Sequence, residues 1–272
     1  MTVDLEEWFT VRGHGVRHSD DAWDSFSSSV EAGCERLLSF LEPRGIRATI
    51  FALGWVARRR PAWIRSLADR GHELGSHSVS HRRLDSLSPA QLREEISASR
   101  KIVEDVTGSP VIGFRAPEWS IRAPSDLALR ILAEEGYRFD ASMTRVPGLG
   151  LRTNPAGPVR LRWTDGSELL EFPPLTGSLF GMPVPAGGSW TGRMFPLPFI
   201  LAAAESCRIR GQPVVVTLHP WEFDVNHPPD DFPVSLRLMH HAGLARAESR
   251  LVDLLDAAGG HFAILGDLAQ VR

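Results

Sequence analysis

Gly71-His72-Glu73-Leu74-Gly75-Ser76-His77-Ser78-Val79-Ser80-His81 is the stretch whose reading decides this chain. Glu73-Leu74 reads as a strand leaving a glycine turn, and it delivers two imidazoles, His77 and His81, into a bent segment. If Ser76 to Arg82 takes a helical turn, both project to one side. Imidazole pairs suit zinc and related divalent ions, and a catalytic centre commonly takes three protein ligands and leaves a position for water. The third ligand is expected to be a carboxylate. Such a pair also arises by chance, and His14-Gly15-Val16-Arg17-His18 is a second one in a chain with 10 histidines. The weight therefore rests on what surrounds the first.

Upstream, Ile46 to Leu53 is an apolar strand, followed by a helix that Pro61 opens and Gly71 closes. Before it, Val30, Cys34, Leu37, Leu38 and Leu41 recur at helical spacing until Pro43 and Gly45. Met1 to Trp8 is a short strand ending in acids. Alternation along it puts Asp4 and Glu6 on one face and Leu5 and Glu7 on the other. Downstream, Ser88-Pro89 opens a helix through Val106. Val111 to Phe114 is a strand running into Arg115-Ala116-Pro117-Glu118-Trp119-Ser120. A helix over 125–135 ends at Gly136, and Tyr137 to Met143 is the next strand. The alternation predicts a parallel sheet with helical crossovers, either a barrel or a doubly wound sheet.

Further on the pattern breaks. Val159 to Trp163 and Glu168 to Phe172 flank the turn Thr164-Asp165-Gly166-Ser167 and predict a hairpin. Residues 176–198 read as a long loop rich in glycine and proline, of the kind that is functional or disordered; Trp190 in it either stacks on a sugar or patches the barrel mouth. A helix over 199–210 precedes Val214 to Leu218, an apolar run typical of a strand buried on both faces, which ends in His219-Pro220-Trp221-Glu222. A long amphipathic helix from Ser235 to Ala258 and a last strand at Phe262 to Leu265 complete the reading. The expectation is a single domain over 1–272, with a helical extension at about 224–272.

Composition narrows the function. A chain of 272 residues with 43% hydrophobic content supports a substantial core. A net charge of −3 and scattered Lys and Arg give no nucleic-acid footprint. Arg58-Arg59-Arg60 reads as a solvated helix end. Cys34 and Cys207 lack metal or redox spacing and read as small buried residues in a reducing compartment. With no signal-like opening and no apolar run long enough to span a bilayer, the expected location is cytoplasmic. A homo-oligomer is left open.

Asp4, Glu6, His77, His81, Arg115 and His219 all fall at or just past the C-terminal ends of expected strands. In a parallel barrel that is the rim where catalytic groups collect, so the pattern points to a metal-dependent active site.

These residues resemble the polysaccharide deacetylases of the NodB-homology type, carbohydrate esterase family 4. The His-Ser/Thr-x-x-His motif stands as His77-Ser78-Val79-Ser80-His81, the Arg-x-Pro segment as Arg115-Ala116-Pro117-Glu118-Trp119, and the late leucine-histidine strand end as Leu218-His219. Val3-Asp4-Leu5-Glu6-Glu7, Pro185-Ala186-Gly187-Gly188, His219 to Asp224 and His240 to Leu244 resemble the subgroup associated with exopolysaccharide gene clusters. The resemblance implies a distorted (β/α) barrel with about seven parallel strands. It also implies one divalent metal, zinc first with cobalt or nickel as alternatives, and an N-acetylated carbohydrate substrate.

One departure matters. The family has two adjacent aspartates, a catalytic base and a metal ligand, but Leu5 follows Asp4. Face-sharing favours Glu6 as the displaced ligand beside His77 and His81, with Glu7 as the alternative. The resemblance then implies Asp4 as base, His219 as acid to the departing amine and Arg115 as the partner of Asp4. Pro117, Trp119, Trp190 and Trp221 are counted as substrate-binding candidates. Asp140 either orients His219 or lines the groove, with a structural role as the alternative, and His14 and His18 are substrate-loop candidates. Competing readings are a cyclic-amide hydrolase of the same fold and a carbohydrate-binding protein without turnover.

Overall fold

The computed structural model describes residues 1–10, 20–224 and 234–271; His14, His18 and His227 lie outside them. Apolar runs that are buried over their whole length become the central strands. β1 (Thr2–Leu5) and β2 (Thr49–Ala52) have every residue buried, as strands covered on both faces must. β3 (Glu73–Ser76), β4 (Gly113–Phe114) and β5 (Phe139–Asp140) continue the sheet in parallel. β6 (Val159–Arg162) and β7 (Glu168–Glu171) form the expected antiparallel hairpin, and β7 lies parallel to β5.

A separate hairpin, β8 (Thr176–Leu179) with β9 (Met182–Pro185), follows. β10 (Thr217–Leu218) then pairs parallel to β1 on its free side. The order β10-β1-β2-β3-β4-β5-β7-β6 thus holds seven parallel strands and one antiparallel. Irregular segments carry the curl further round. Leu175 N donates to Val215 O at 3.0 Å and Thr217 N to Gly187 O at 2.6 Å. The result is the distorted barrel that the sequence led us to expect.

Helices α1 (Val30–Leu41), α2 (Gly54–Arg59), α3 (Pro61–Asp69), α4 (Pro89–Thr107) and α5 (Leu127–Glu134) lie in the crossovers. α4 shows how the sequence sets its limits. Ser88 and Gln91 form a reciprocal capping box, Pro89 occupies the first turn, and Gly108 ends the helix at φ 69°. Its buried stripe, Leu92, Ile96, Ser99 and Val103, faces the sheet. Arg58, Arg59 and Arg60 are exposed, as expected. The short helix α2 had no signal of its own.

Three expectations fail in the second half. The 176–198 segment is not a structureless loop. It forms the β8–β9 hairpin, turning at Phe180 and Gly181 with φ 50° and 77°, and then α6 (Ser189–Met194) before α7 (Leu197–Ile209). Pro183 and Pro185 are tolerated because this is a two-stranded edge. The long C-terminal helix breaks at Gly243, φ 74°, into α8 (Val234–His241) and α9 (Ala247–Ala258). No strand forms at Phe262 to Leu265. Instead Leu265 opens α10 (Leu265–Val271), where Leu265 N donates to Thr49 Oγ1 and Gly266 N to Glu73 Oε2. The segment meets the starts of β2 and β3 end-on, so side chains replace a ladder.

Candidate active site

The histidine segment owes its shape to its neighbours and not to helical geometry. Ser78 and His81 sit at φ 65° and 53°, which rules out the helical turn expected over Ser76 to Arg82. The strain is held from outside. The start of α2 donates to this loop from Gly54 N to Ser78 O and from Trp55 N to Val79 O. Glu95 of α4 accepts from Val79 N, Ser80 N and Ser80 Oγ at 2.7–3.0 Å. Nothing in the sequence marked Glu95.

Held this way, His77 and His81 meet Glu6, which follows β1 directly. The donor atoms of the three lie within 4.8 Å of one another. Glu6 Oε2 contacts His81 Nε2 and stands 3.7 Å from His77 Nε2. His77 Nδ1 is engaged by the Arg115 carbonyl at 2.8 Å, which leaves Nε2 for the site, as a carbonyl on the far nitrogen orients a metal-binding imidazole. Glu6 Oε1 accepts from Trp221 Nε1 at 3.3 Å. Burial opposes the charge of Glu6, but His81, His77 and His219 outweigh it and hold its pKa well below the usual carboxylate range. Two imidazoles and an ionised carboxylate are a fitting donor set for a zinc-type ion. Glu7 turns away; it accepts from Ser28 Oγ and Ser29 N.

Beside this cradle, Asp4 Oδ1 accepts from Arg115 Nη1 at 2.8 Å. Arg115 is fully buried. It is fixed by Ala141 O and Thr2 Oγ1, with Phe51 and Trp119 against its guanidinium. The other oxygen, Asp4 Oδ2, faces His219 Nε2 at 3.8 Å, the same distance that separates His219 Nε2 from Glu6 Oε1.

His219 is oriented by Glu222, not by Asp140. Glu222 Oε2 lies 3.1 Å from His219 Nδ1 and accepts from its backbone N–H, and Arg193 of α6 stands 3.4 Å from Glu222 Oε1. Burial favours neutral imidazole, yet Glu222, Glu6 and Asp4 together raise the His219 pKa to about 9. The turn that makes this pairing possible, Pro220 to Glu222, is packed by α1, where only a glycine at 33 fits. A Cβ there would stand 2.7 Å from the Pro220 carbonyl carbon. Glu222 sits three residues past a strand-end histidine, a spacing that was visible in the sequence and not given a role.

Asp140 pairs with its β-sheet neighbour Glu171 instead. It accepts from Ser142 Oγ, and Glu171 accepts from Met143 N. Burial raises both pKa values, Glu171 well above normal, helped by repulsion between the two carboxyls. Of the expected substrate contacts, Pro117 and Trp221 are buried. Trp221 stacks between His219 and His240 at 5.2 and 4.2 Å. Trp119 and Trp190 are half-buried and line one pocket of about 290 Å3 with Leu149, Pro174, Leu175 and Thr217.

Fold and site together define an α/β barrel protein with a carboxylate–bis-imidazole cradle and an Asp4–His219 pair on one rim. The likeness to the polysaccharide deacetylase family extends over just under half of the chain. The pattern described as "Polysaccharide deacetylase" matches residues 18–139, and one described as a domain of unknown function (DUF3473) matches residues 142–264. The first contains His77, His81 and Arg115; the second contains Arg193, His219 and Glu222.

A peptidoglycan deacetylase of Helicobacter pylori is 27% identical over 47% of this chain and 44% of its own length. A peptidoglycan-N-acetylglucosamine deacetylase of Listeria monocytogenes is 34% identical over 35% of this chain and 20% of its own. The chain thus spans less than half of these relatives. A Mycobacterium smegmatis structure assigned by name to the polysaccharide deacetylases matches 99% of this chain and 87% of its own, with a TM-score of 0.66 at 22% identity. An allantoinase structure has a TM-score of 0.65 at 19% identity, covering 99% of this chain and 87% of its own. Both likenesses are of fold.

Proposed function

We propose that this chain is a metal-dependent N-deacetylase acting on an amino sugar of a polysaccharide, an oligosaccharide or a glycosylated precursor. The observation that carries the reading is the convergence of Asp4, Glu6 and His219, with His219 Nε2 3.8 Å from both carboxylates. Glu6, His77 and His81 hold one divalent ion, zinc first. When bound, the ion polarises the acetamide carbonyl and acidifies its water. Asp4 Oδ2, its partner oxygen neutralised by Arg115, accepts the proton of the attacking water. His219 Nε2 gives a proton to the departing amine, and a pKa raised to about 9 keeps that proton available at neutral pH. Glu222 holds the ring so that Nε2 and not Nδ1 faces the reaction. The Trp119–Trp190 pocket, at the small end of ligand-site volumes, takes the sugar ring on its aromatic faces.

The β5–β7 pairing joins the end of the first matched segment, at Phe139, to the second, and β10 of the second pairs with β1, which precedes the first; this supports reading 1–272 as a single catalytic unit. Relationship to the exopolysaccharide subgroup and a cytoplasmic location are parts of the same proposal. The location is supported by Cys34 and Cys207, both free and buried. Among the described residues no helix is long and apolar enough to cross a membrane.

The test is acetate release from a panel of N-acetylated sugars by metal-stripped protein, with and without added zinc, cobalt or nickel. Release restored by metal is expected. No release from any of them, with one metal tightly bound per chain, would overturn the reading in favour of cyclic-amide hydrolysis or sugar binding.

A further inference from the structure

A second cavity, about 630 Å3, shares the lining residue Thr176 with the tryptophan pocket. Its wall brings together Arg145 and Arg152, from the segment after β5, and Arg210 at the end of α7, with the hydroxyls of Thr176, Ser178 and Ser206. No aspartate or glutamate is among the lining residues.

Several arginines elsewhere on the surface are neutralised by carboxylates. Arg70, Arg93 and Arg130 each pair with two carboxylates. Among the described residues Arg145, Arg152 and Arg210 have none, and neutral acceptors hold them instead. Arg145 Nε donates to Arg152 O at 3.2 Å, and Arg152 Nη2 to Gly181 O at 3.4 Å. Arg210 donates to Gln212 Oε1 at 2.9 Å and to Ser206 Oγ at 2.6 Å. These contacts fix the side chains without cancelling their charge. Three cations around one cavity repel each other, and an oxyanion between them removes that cost. Guanidinium forks match such an anion in shape as well as charge.

We propose that this cavity is an oxyanion subsite, and that it holds a diphosphate carried by the same sugar whose acetamide lies at Asp4 and His219. The second part rests on the deacetylase reading. Three guanidinium charges match a diphosphate better than a single carboxylate. The substrate is then a glycosyl diphosphate rather than a neutral glycan, its sugar and diphosphate lying in the two neighbouring pockets that Thr176 lines.

The direct test is titration with inorganic pyrophosphate and, separately, with glucuronate at low salt, in the wild type and in Arg152→Gln/Arg210→Gln. Both side chains are exposed, so the fold is expected to survive their change. The same titrations on His77→Ala protein separate anion bound in the cavity from anion bound through the metal ligands. Pyrophosphate binding weakened on the order of tenfold or more in the double variant is expected. Binding of glucuronate alone would keep the oxyanion site and overturn the diphosphate, pointing to an acidic polymer. Absent or unchanged binding of both would overturn the site.

The second readout is KM. For an N-acetylated sugar diphosphate it should rise about tenfold in the double variant with kcat unchanged, while a neutral N-acetylated oligosaccharide is unaffected. Equal losses on both substrates would overturn the subsite. Acetate released from neither by the wild type would break the deacetylase reading, and the pyrophosphate titration would still decide the anion site.

Discussion

The two halves of the barrel build their share of the site by different means. In the first half, Glu6, His77 and Arg115 each stand at or just beyond a strand in a regular run of strand and helix. Asp4 is held by Arg115 across the sheet, and the histidine loop by the helix that follows it. In the second half, His219 follows a strand of two residues, and what positions it is an irregular turn three residues on, itself braced by other segments. Glu222 lies on a turn packed by Gly33, Arg193 comes from α6, and Gly188, at φ 131°, is bridged to Thr217 beside the β10 strand end. The cradle is thus built at the ends of regular strands and the surroundings of His219 by close approach of irregular segments. One consequence is that the two should fail separately.

The sharpest way to break that comparison is a pair of substitutions. His77→Ala removes a ligand donor and is expected to abolish stoichiometric metal binding and lower kcat by about a thousandfold or more. His219→Ala should keep the metal and lose on the order of 100- to 10,000-fold in kcat, the usual contribution of a positioned acid or base. Metal content by elemental analysis, read alongside acetate release, checks both. If His77→Ala protein keeps its metal, the ligand assignment is wrong. If His219→Ala protein loses it, the two halves are not separable.

A smaller effect sharpens the same contrast within the second half. Glu222→Gln keeps an acceptor for His219 N and Nδ1 but removes the charge opposite buried Arg193. Burial already draws the Arg193 pKa down, so loss of its carboxylate partner leaves an uncompensated cation, at a cost of about 3–5 kcal/mol. In a domain of this size that lowers Tm by roughly 6–20 °C. With the ring less firmly held, kcat should fall about tenfold while metal content stays the same. An unchanged Tm with reduced kcat would show that Glu222 acts on His219 without Arg193.

The same contrast explains what the sequence disclosed. The alternation of strand and helix and the strand-end location of Asp4, Glu6, His77, His81, Arg115 and His219 were legible, because a parallel barrel writes them as apolar runs ending in polar residues. Even the facing of Glu6 toward the histidines, with Glu7 turned away, followed from alternation. What stayed hidden depended on distant partners. The left-handed residues Ser78 and His81 persist because Glu95 and the start of α2 hold the loop. The β8–β9 hairpin was masked by prolines that only an edge admits. Gly243 broke a helix whose apolar spacing ran on through it, and Phe262 to Leu265 met the sheet at its end and not along its edge. Trp221 reads equally well as a sugar platform, and only its burial against Glu6 assigns it to the cradle.

The mildest test concerns the seam where the halves meet, the β5–β7 pair. Asp140 Oδ2 and Glu171 Oε2 are both buried and find no other partner, as a proton held between two carboxyls requires. Met143 N, Ser142 Oγ and the nearby charge of Arg115 face the pair. Since the Glu171 pKa is raised well above 4.5, the folded state keeps a proton there that the unfolded chain has lost. Stability from this group is complete below the unfolded value and is lost as pH climbs toward the folded one. Glu171→Gln supplies a permanent donor to Asp140 and retains an acceptor for Met143 N, so it should remove that slope. Thermal melts between pH 5 and pH 8.5 are expected to show a flatter Tm profile, with the variant ahead by about 2–4 °C at the alkaline end, the shift that ~1 kcal/mol makes in a domain of this size. Parallel profiles for wild type and variant would mean that no proton is held there, and that Arg115 alone balances the two carboxylates across the seam.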